Sequence, residues 1–194
     1  ALVGKLGSDG VAWSAAHALE RIGDGAVPDL VKGLGASNAL ARAHAARVLG
    51  RLGPRAKAAL EPLFGAAGDK DSLVRAEVLR AIGLLRLDPA RSIAVLVGAL
   101  ALPHPEARAA GAEALGRFGL EAASAEATLL GLAGDSDALV RAAAFDALHR
   151  TGDAPGAVAP AAIAALDDDV ADVRAGALRT LGARGVRAEG LAIF

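Results

Sequence analysis

Five arginines, Arg42, Arg75, Arg108, Arg141 and Arg174, recur at one constant interval of thirty-three positions. Seven positions after each comes an aliphatic residue: Leu49, Ile82, Leu115, Leu148 and Leu181. Glycine follows at Gly50, Gly83, Gly116 and Gly182, with His149 the exception, and again at Gly53, Gly119, Gly152 and Gly185, with Arg86 the exception. A fixed period of this size is the signature of a stacked array, in which each unit hides its apolar face only against the next.

Each unit reads as two helices. The chain is 54% hydrophobic but only 3% aromatic, so its apolar mass is mostly Ala, Leu and Val, and Ala and Leu lose little side-chain freedom in a helix. The 24 Gly and eight Pro then act as punctuation. In the third unit Val74, Val78, Ile82 and Leu85 recur at helical spacing, with Asp71 or Ser72 as the cap. Pro89 opens a second helix, whose buried stripe is Ile93, Leu96, Val97 and Leu100.

Ankyrin units would carry Thr-Pro-Leu-His, and tetratricopeptide units recurring aromatics; neither is present. The pattern Asp-x-x-Val-Arg-x-x-Ala-x-x-Ala-Leu-Gly-x-x-Gly, written here as "DSLVRAEVLRAIGLLR", "PEARAAGAEALGRFG" and "DVADVRAGALRTLGARG", resembles the short bacterial HEAT-like repeats, the kind also found in phycobilin lyase subunits. The resemblance covers nearly the whole chain. It implies an all-α fold, an α-solenoid (superhelix) of about six stacked helical hairpins in a single array over residues 1–194. The expected repeats are 8–34, 35–67, 68–100, 101–133, 134–166 and 167–194, with residues 1–7 as the remnant of a preceding one. It says little about function, because such arrays serve many roles.

The outer units deviate. Ala12 stands where Arg belongs, and Leu19 falls three positions short of a full period before Leu49. "LVGKLG" at Leu2 to Gly7 resembles "LVKGLG" at Leu30 to Gly35, the second helix of a unit. Ile193 and Phe194 occupy the place of a polar capping face, and the sequence opens without Met. The expectation is a processed or excised piece whose ends are cut or covered, with association through those ends.

Net charge is −1, from 21 basic and 22 acidic residues, which gives no pull toward nucleic acid or an anionic membrane. The HEAT-like alkylpurine glycosylases would need a basic channel and stacking aromatics, against one Trp here. There is no Cys for disulfide or thiolate chemistry, no apolar run of membrane-spanning length and no signal peptide; the expected location is cytoplasmic. His17, His44, His104 and His149 occupy four different repeat positions without converging. Asp167 to Asp169 precede a helix start and lack the spacing of a calcium loop. No nucleophile has a recognisable base, and no phosphate-binding Gly-Lys-Ser/Thr occurs. No cofactor, metal or catalytic residue is expected.

Three columns remain. The arginines read as a structural ladder, with Asp71 and Asp137 four residues ahead of Arg75 and Arg141 on the same helix face, and Asp69 and Asp135 in the preceding turns, placed to cap or pair across units. The sharper alternative is a row of anion-binding forks. Gly65, Gly98 and Gly131 form a second column, extended by Ala164 and Lys32, about 150° from the buried stripe of their helices. That side lines the concave face, with Pro62, Arg91, Val95, Thr128 and Ala161 as neighbours. The first helices carry His17, Arg47, Arg80, Glu113, Asp146 and Arg179 outward, a mixed-sign solvated column. Trp13 replaces Ala43, Ala76, Ala109, Ala142 and Ala175 in a column taken to point away from the core, as an interface anchor or a lid on the N-terminal end.

The expected function is a non-catalytic scaffold or protein-interaction module that binds a polypeptide on its concave face. The alternative that the resemblance implies is a bilin lyase-like enzyme subunit, working with a second subunit and holding a tetrapyrrole against the inner face.

Overall fold

Five of the first helices follow an extended residue, and in three of them that residue's side chain caps the helix. These residues, Asn38, Asp71, His104, Asp137 and Val170, are again one period apart. The Asn38 side chain accepts the Ala41 N–H, Asp71 accepts those of Leu73 and Val74, and Asp137 that of Leu139. Each satisfies amides that the first turn leaves without partners.

The computed structural model describes residues 2–8, 10–152 and 156–185. Among them are α1 (Ala12–Ile22), α2 (Val27–Gly33), α3 (Ala39–Leu52), α4 (Leu60–Ala66), α5 (Ser72–Leu85), α6 (Pro89–Ala99), α7 (Pro105–Phe118), α8 (Glu126–Leu132), α9 (Ala138–Thr151), α10 (Val158–Ala164) and α11 (Ala171–Ala183), with no strand. The fold is all-α, an α-solenoid of helical hairpins. The chain divides into two compact units, residues 1–95 and 96–194, with the boundary inside α6. In the first, α3 packs between α1 and α5; in the second, α9 packs between α7 and α11. No helix among the described residues is long and apolar enough to cross a membrane. Ile193 and Phe194, singled out in the sequence, lie outside the described residues.

Val74, Val78, Ile82 and Leu85 are fully buried, as are Leu49, Leu115 and Leu148 of the aliphatic column. Ile93, Leu96 and Leu100 are buried too, while Val97 is half-buried. The alanine column corrects the sequence reading: Ala43, Ala76 and Ala109 are buried, not turned away from the core. Ala43 lies on α3, which has a first helix on each side and is covered on its flanks as well as along its inner stripe, whereas Ala142 of α9 and Ala175 of α11 are half-buried. Trp13 itself is 76% exposed and stacks on His17, with ring centroids 5.6 Å apart and planes within 6°.

The glycines at the first-helix ends also divide. Gly53 and Gly119 take φ of +58° with ψ near −140°, a region almost closed to other residues. From them the chain enters 3₁₀ segments, Gly53–Ala59 and Gly119–Ala125, before α4 and α8 begin. The sequence pattern shows no such break. Each segment is two short 3₁₀ turns joined at a kink, at Ala56 (φ −91°, ψ 29°) and Ala122 (φ −94°, ψ 17°), and Ala56, Ala59, Ala122 and Ala125 are all buried. Arg86 reaches the left-handed region at φ 48°, ψ 41°, and Pro89 starts α6 without a 3₁₀ segment. The Leu2 to Gly7 segment, read as the second helix of a preceding unit, holds a single 3₁₀ turn, Val3–Lys5, that leads to the fully buried Leu6.

Candidate functional site

The arginine ladder is built, but with a different partner from the nearest acid. Asp71 and Asp137 turn toward their own helix ends as caps. The guanidinium instead reaches forward to an aspartate in the turn before the next first helix. Arg42 Nε and Nη2 donate to Asp69 at 2.7 and 2.8 Å, Arg108 to Asp135 at 2.8 Å twice, and Arg141 to Asp168 at 2.8 and 3.0 Å. In each, Nη1 donates to two carbonyls of the turn before its own helix: Ala36 and Ser37, Leu102 and Pro103, or Asp135 and Ser136. The aspartate also accepts the N–H of the residue two places on, at 2.9 Å in all three. One rung therefore ties a helix, its own turn and the following turn, through two parallel charge-assisted bonds.

These contacts fill the forks that a free anion would need. Arg75 is the exception. Its Nη1 donates to the Asp69 carbonyl at 2.5 Å, but its buried Nε has no partner among the described residues. At the place where the other rungs have their aspartate, the chain carries Leu102.

The rungs predict an acid response. The Arg42 side chain holds the Asp69 carboxyl below the ordinary aspartate value of 3.8, against the opposing effect of burial; Arg108 does the same for Asp135. A carboxyl whose folded pKa is depressed contributes stability that is complete above the unfolded value and is lost as pH falls through the folded one. Urea midpoints are expected to hold above about pH 5 and drop below about pH 4, less steeply in an Asp69→Asn, Asp135→Asn double variant. Identical slopes for the two proteins would contradict the assignment.

On the second helices, Lys32, Gly65, Arg91, Gly98, Thr128, Gly131 and Ala164 are exposed, and Pro62, Val95 and Ala161 are half-buried. A Cβ added at Gly65, Gly98 or Gly131 would meet nothing within 4 Å, so no close helix approach demands glycine there. All three sit next to last in their helices, where a glycine disrupts less than in the interior that the sequence suggested. The face is not uniform. In the first unit Arg91 grips Glu61 at 2.5 and 3.0 Å and lies 4.8 Å from the Phe64 ring centroid, while Lys32 pairs with Asp29 at 3.3 Å. The Glu61 carboxylate raises the Arg91 pKa, and Arg91 lowers that of Glu61.

In the second unit the same side forms an open groove of about 400 Å³ between α8 and α10. Its walls include the expected Ala161 and Ala164 together with Leu130, Ala133 and Ala165, and Asp168 stands at one end. A single column per helix does not reach Leu130, Ala133 or Ala165; residues three or four apart on these helices share a face, and that spacing signals them. The chemistry available is apolar contact and backbone approach. Among the described residues no group of three His, Asp or Glu converges as a metal site.

The outward column is largely paired. Arg47 donates to the buried Glu77 at 3.0 Å twice, Arg80 donates to it at 3.4 Å, and Arg179 pairs with Asp146. A smaller cavity, of about 100 Å³, lies between α1 and α3 beside Trp13, His17, His44 and Arg51.

With this geometry in hand, comparisons with known proteins are specific about the family. The model of the family described as HEAT repeats matches residues 27–104 and 93–182. A search of curated proteins finds no match. Among solved structures, the complex of CpcE and CpcF of phycocyanin lyase from Nostoc sp. PCC7120 is similar at 26% identity and a TM-score of 0.64, over 80% of this chain and 98% of that one. An engineered protein is similar at 21% identity and a TM-score of 0.70, over 94% of this chain and 96% of that one. An archaeal HEAT-like repeats protein from Thermococcus onnurineus NA1 is similar at 19% identity and a TM-score of 0.57, over 94% and 78%.

Proposed function

Since this chain belongs to the HEAT-repeat family, we propose that it is a non-catalytic binding module that holds a polypeptide segment along its second helices. The observation that carries this reading is the Gly65, Gly98 and Gly131 column. Packing does not require glycine at any of the three, since a methyl group at each has open space around it. A bare backbone on an exposed face lets another chain approach closely. The groove between α8 and α10 adds small apolar walls, which suit an extended or helical peptide better than a polar small molecule.

The test is to pan a displayed-peptide library against the intact chain and measure the recovered peptides against a Gly98→Arg, Gly131→Arg variant. Both positions have room for the new side chain, so the fold is expected to survive. Affinity is expected to fall about tenfold or more as the guanidinium groups fill the approach path. Equal affinity would put the binding surface elsewhere.

The likeness to a phycocyanin lyase complex favours a second reading, an enzyme subunit that acts beside another repeat chain. Incubation with a bilin and an apo-phycobiliprotein, followed by absorbance, separates the two. A shift that depends on this chain supports the enzyme; its absence, with peptide binding intact, supports the scaffold.

A further inference from the structure

First helices close on one another where the repeat supplies a glycine. Gly50 of α3 faces α5 and Gly116 of α7 faces α9, so closely that an added Cβ would lie 2.9 Å from the Ala81 Cα and 3.1 Å from the Ala147 Cα. Glu20 of α1 stands at the same repeat position, directly after the buried Leu19 as Gly50 follows Leu49. A side chain of that length holds two helix backbones apart, and the seam between α1 and α3 stays open as the cavity of about 100 Å³. Both walls belong to the first unit, so the cavity is a seam within it. One wall carries the stacked rings of Trp13 and His17. The other carries His44, Arg47 and Arg51, with His44 fixed by its Nδ1–H, which donates to the Leu6 carbonyl at 2.7 Å. Glu20 accepts from Arg51 Nη1 at 2.8 Å, and Glu77 accepts from Arg47 Nε and Nη2. Arg47 Nη1 and Arg51 Nε and Nη2 make no hydrogen bond among the described residues.

We propose that this cavity binds a planar aromatic ring that carries an anionic group, carboxylate or phosphate, on its edge. Each half of such a ligand has its counterpart in the walls. A cavity of about 150 Å³ holds benzene, and this one, smaller but open to solvent on one side, takes a single ring. The ring lies against the indole and imidazole in the offset or edge-on arrangements that aromatic pairs favour. The charged side chains of the lining are two arginines against one glutamate, which favours an anion over a cation. The donors that Glu20 and Glu77 leave unused on Arg51 and Arg47 give that anion charge-assisted hydrogen bonds. Those carboxylates already hold the guanidinium planes, so little side-chain freedom is lost when the ligand arrives. A bare anion forgoes the ring contact and a bare ring forgoes the charge. The site belongs to first helices and is separate from the second-helix face proposed to hold a polypeptide.

Trp13 is the single tryptophan of a chain without tyrosine, so its fluorescence reports on this cavity alone. Titration of the intact protein with phenyl phosphate is expected to change that emission saturably. Inorganic phosphate and benzyl alcohol, which each carry half of the chemistry, are expected to bind about tenfold or more weakly. Arg51→Gln is expected to weaken phenyl phosphate binding about tenfold or more, and His17→Ala about threefold or more. The Arg51 side chain is 57% exposed and His17 is exposed, so both variants keep their fold, which circular dichroism verifies. A tyrosine-phosphorylated peptide distinguishes the source of the ring. Binding about tenfold or more tighter than phenyl phosphate assigns it to a side chain of a partner protein, and equal or weaker binding to a free small molecule. No saturable change up to roughly 10 mM phenyl phosphate overturns the proposal. Benzyl alcohol or inorganic phosphate that binds equally well overturns it too, as does an Arg51→Gln protein of unchanged affinity.

Discussion

Valine at Gly50 is expected to destabilise the chain by about 2–3 kcal/mol, whereas alanine at Gly65, Gly98 and Gly131 is expected to stabilise it by about 0.4–1 kcal/mol each. Gly50 lies where α3 meets α5: a Cβ there would stand 2.9 Å from the Ala81 Cα and 3.1 Å from its Cβ. Backbone cannot give way as a side-chain tip does, so the two helices must part and the contact between them loosens. Gly116 of α7 repeats the arrangement against α9, with a Cβ site 3.1 Å from the Ala147 Cα. The second-helix glycines meet nothing, and alanine there gains by narrowing the unfolded ensemble. Thermal and urea unfolding of Gly50→Val and of the triple alanine variant check both signs. A Gly50→Val protein as stable as the parent would remove close first-helix contact from the account. If the triple variant also loses peptide binding, stability and function oppose each other on that face.

The second large effect separates two arginines of one column. Arg42→Met removes two charge-assisted bonds to Asp69 and two to the Ala36 and Ser37 carbonyls, and leaves the Asp69 side chain, 12% exposed, without its cation. A cost of about 3 kcal/mol is expected. Arg75→Met gives up one bond to the Asp69 carbonyl and removes a buried Nε that has no acceptor among the described residues, so the losses and gains nearly cancel; the net change is expected within about 1 kcal/mol of zero. Equal, large losses in both would mean that position in the repeat, rather than the carboxylate, sets the stability.

The periodic residues made the hairpins legible: the aliphatic column is buried, and Pro89 opens α6. They also marked Gly65, Gly98 and Gly131 as facing outward. Asp69 and Asp135 were legible as residues that could pair across units, but which acid each arginine takes was not, nor was the role of each glycine, for definite reasons. Spacing of four favours Asp71 with Arg75 and Asp137 with Arg141, but a capping residue is extended, so its carboxylate turns to the helix end and is taken by Leu73 and Leu139 N–H. That leaves Asp69, Asp135 and Asp168, one turn removed in sequence, as the partners. Nor does spacing alone tell a glycine that admits a neighbouring helix, such as Gly50, from one with open space around it, such as Gly98. That difference depends on what the next element places opposite. In the candidate site, the column identified Ala161 and Ala164 but not Leu130 or Ala165, which the turn of each short helix brings beside them.

The link between one first helix and the turn that precedes the next is best tested by a double-mutant cycle on Arg108 and Asp135, whose side chains are 15% and 9% exposed. Urea unfolding of Arg108→Met, Asp135→Ala and the double variant yields the coupling directly. A coupling of about 1.5 kcal/mol or more is predicted. Additive losses, within about 0.5 kcal/mol, would contradict it.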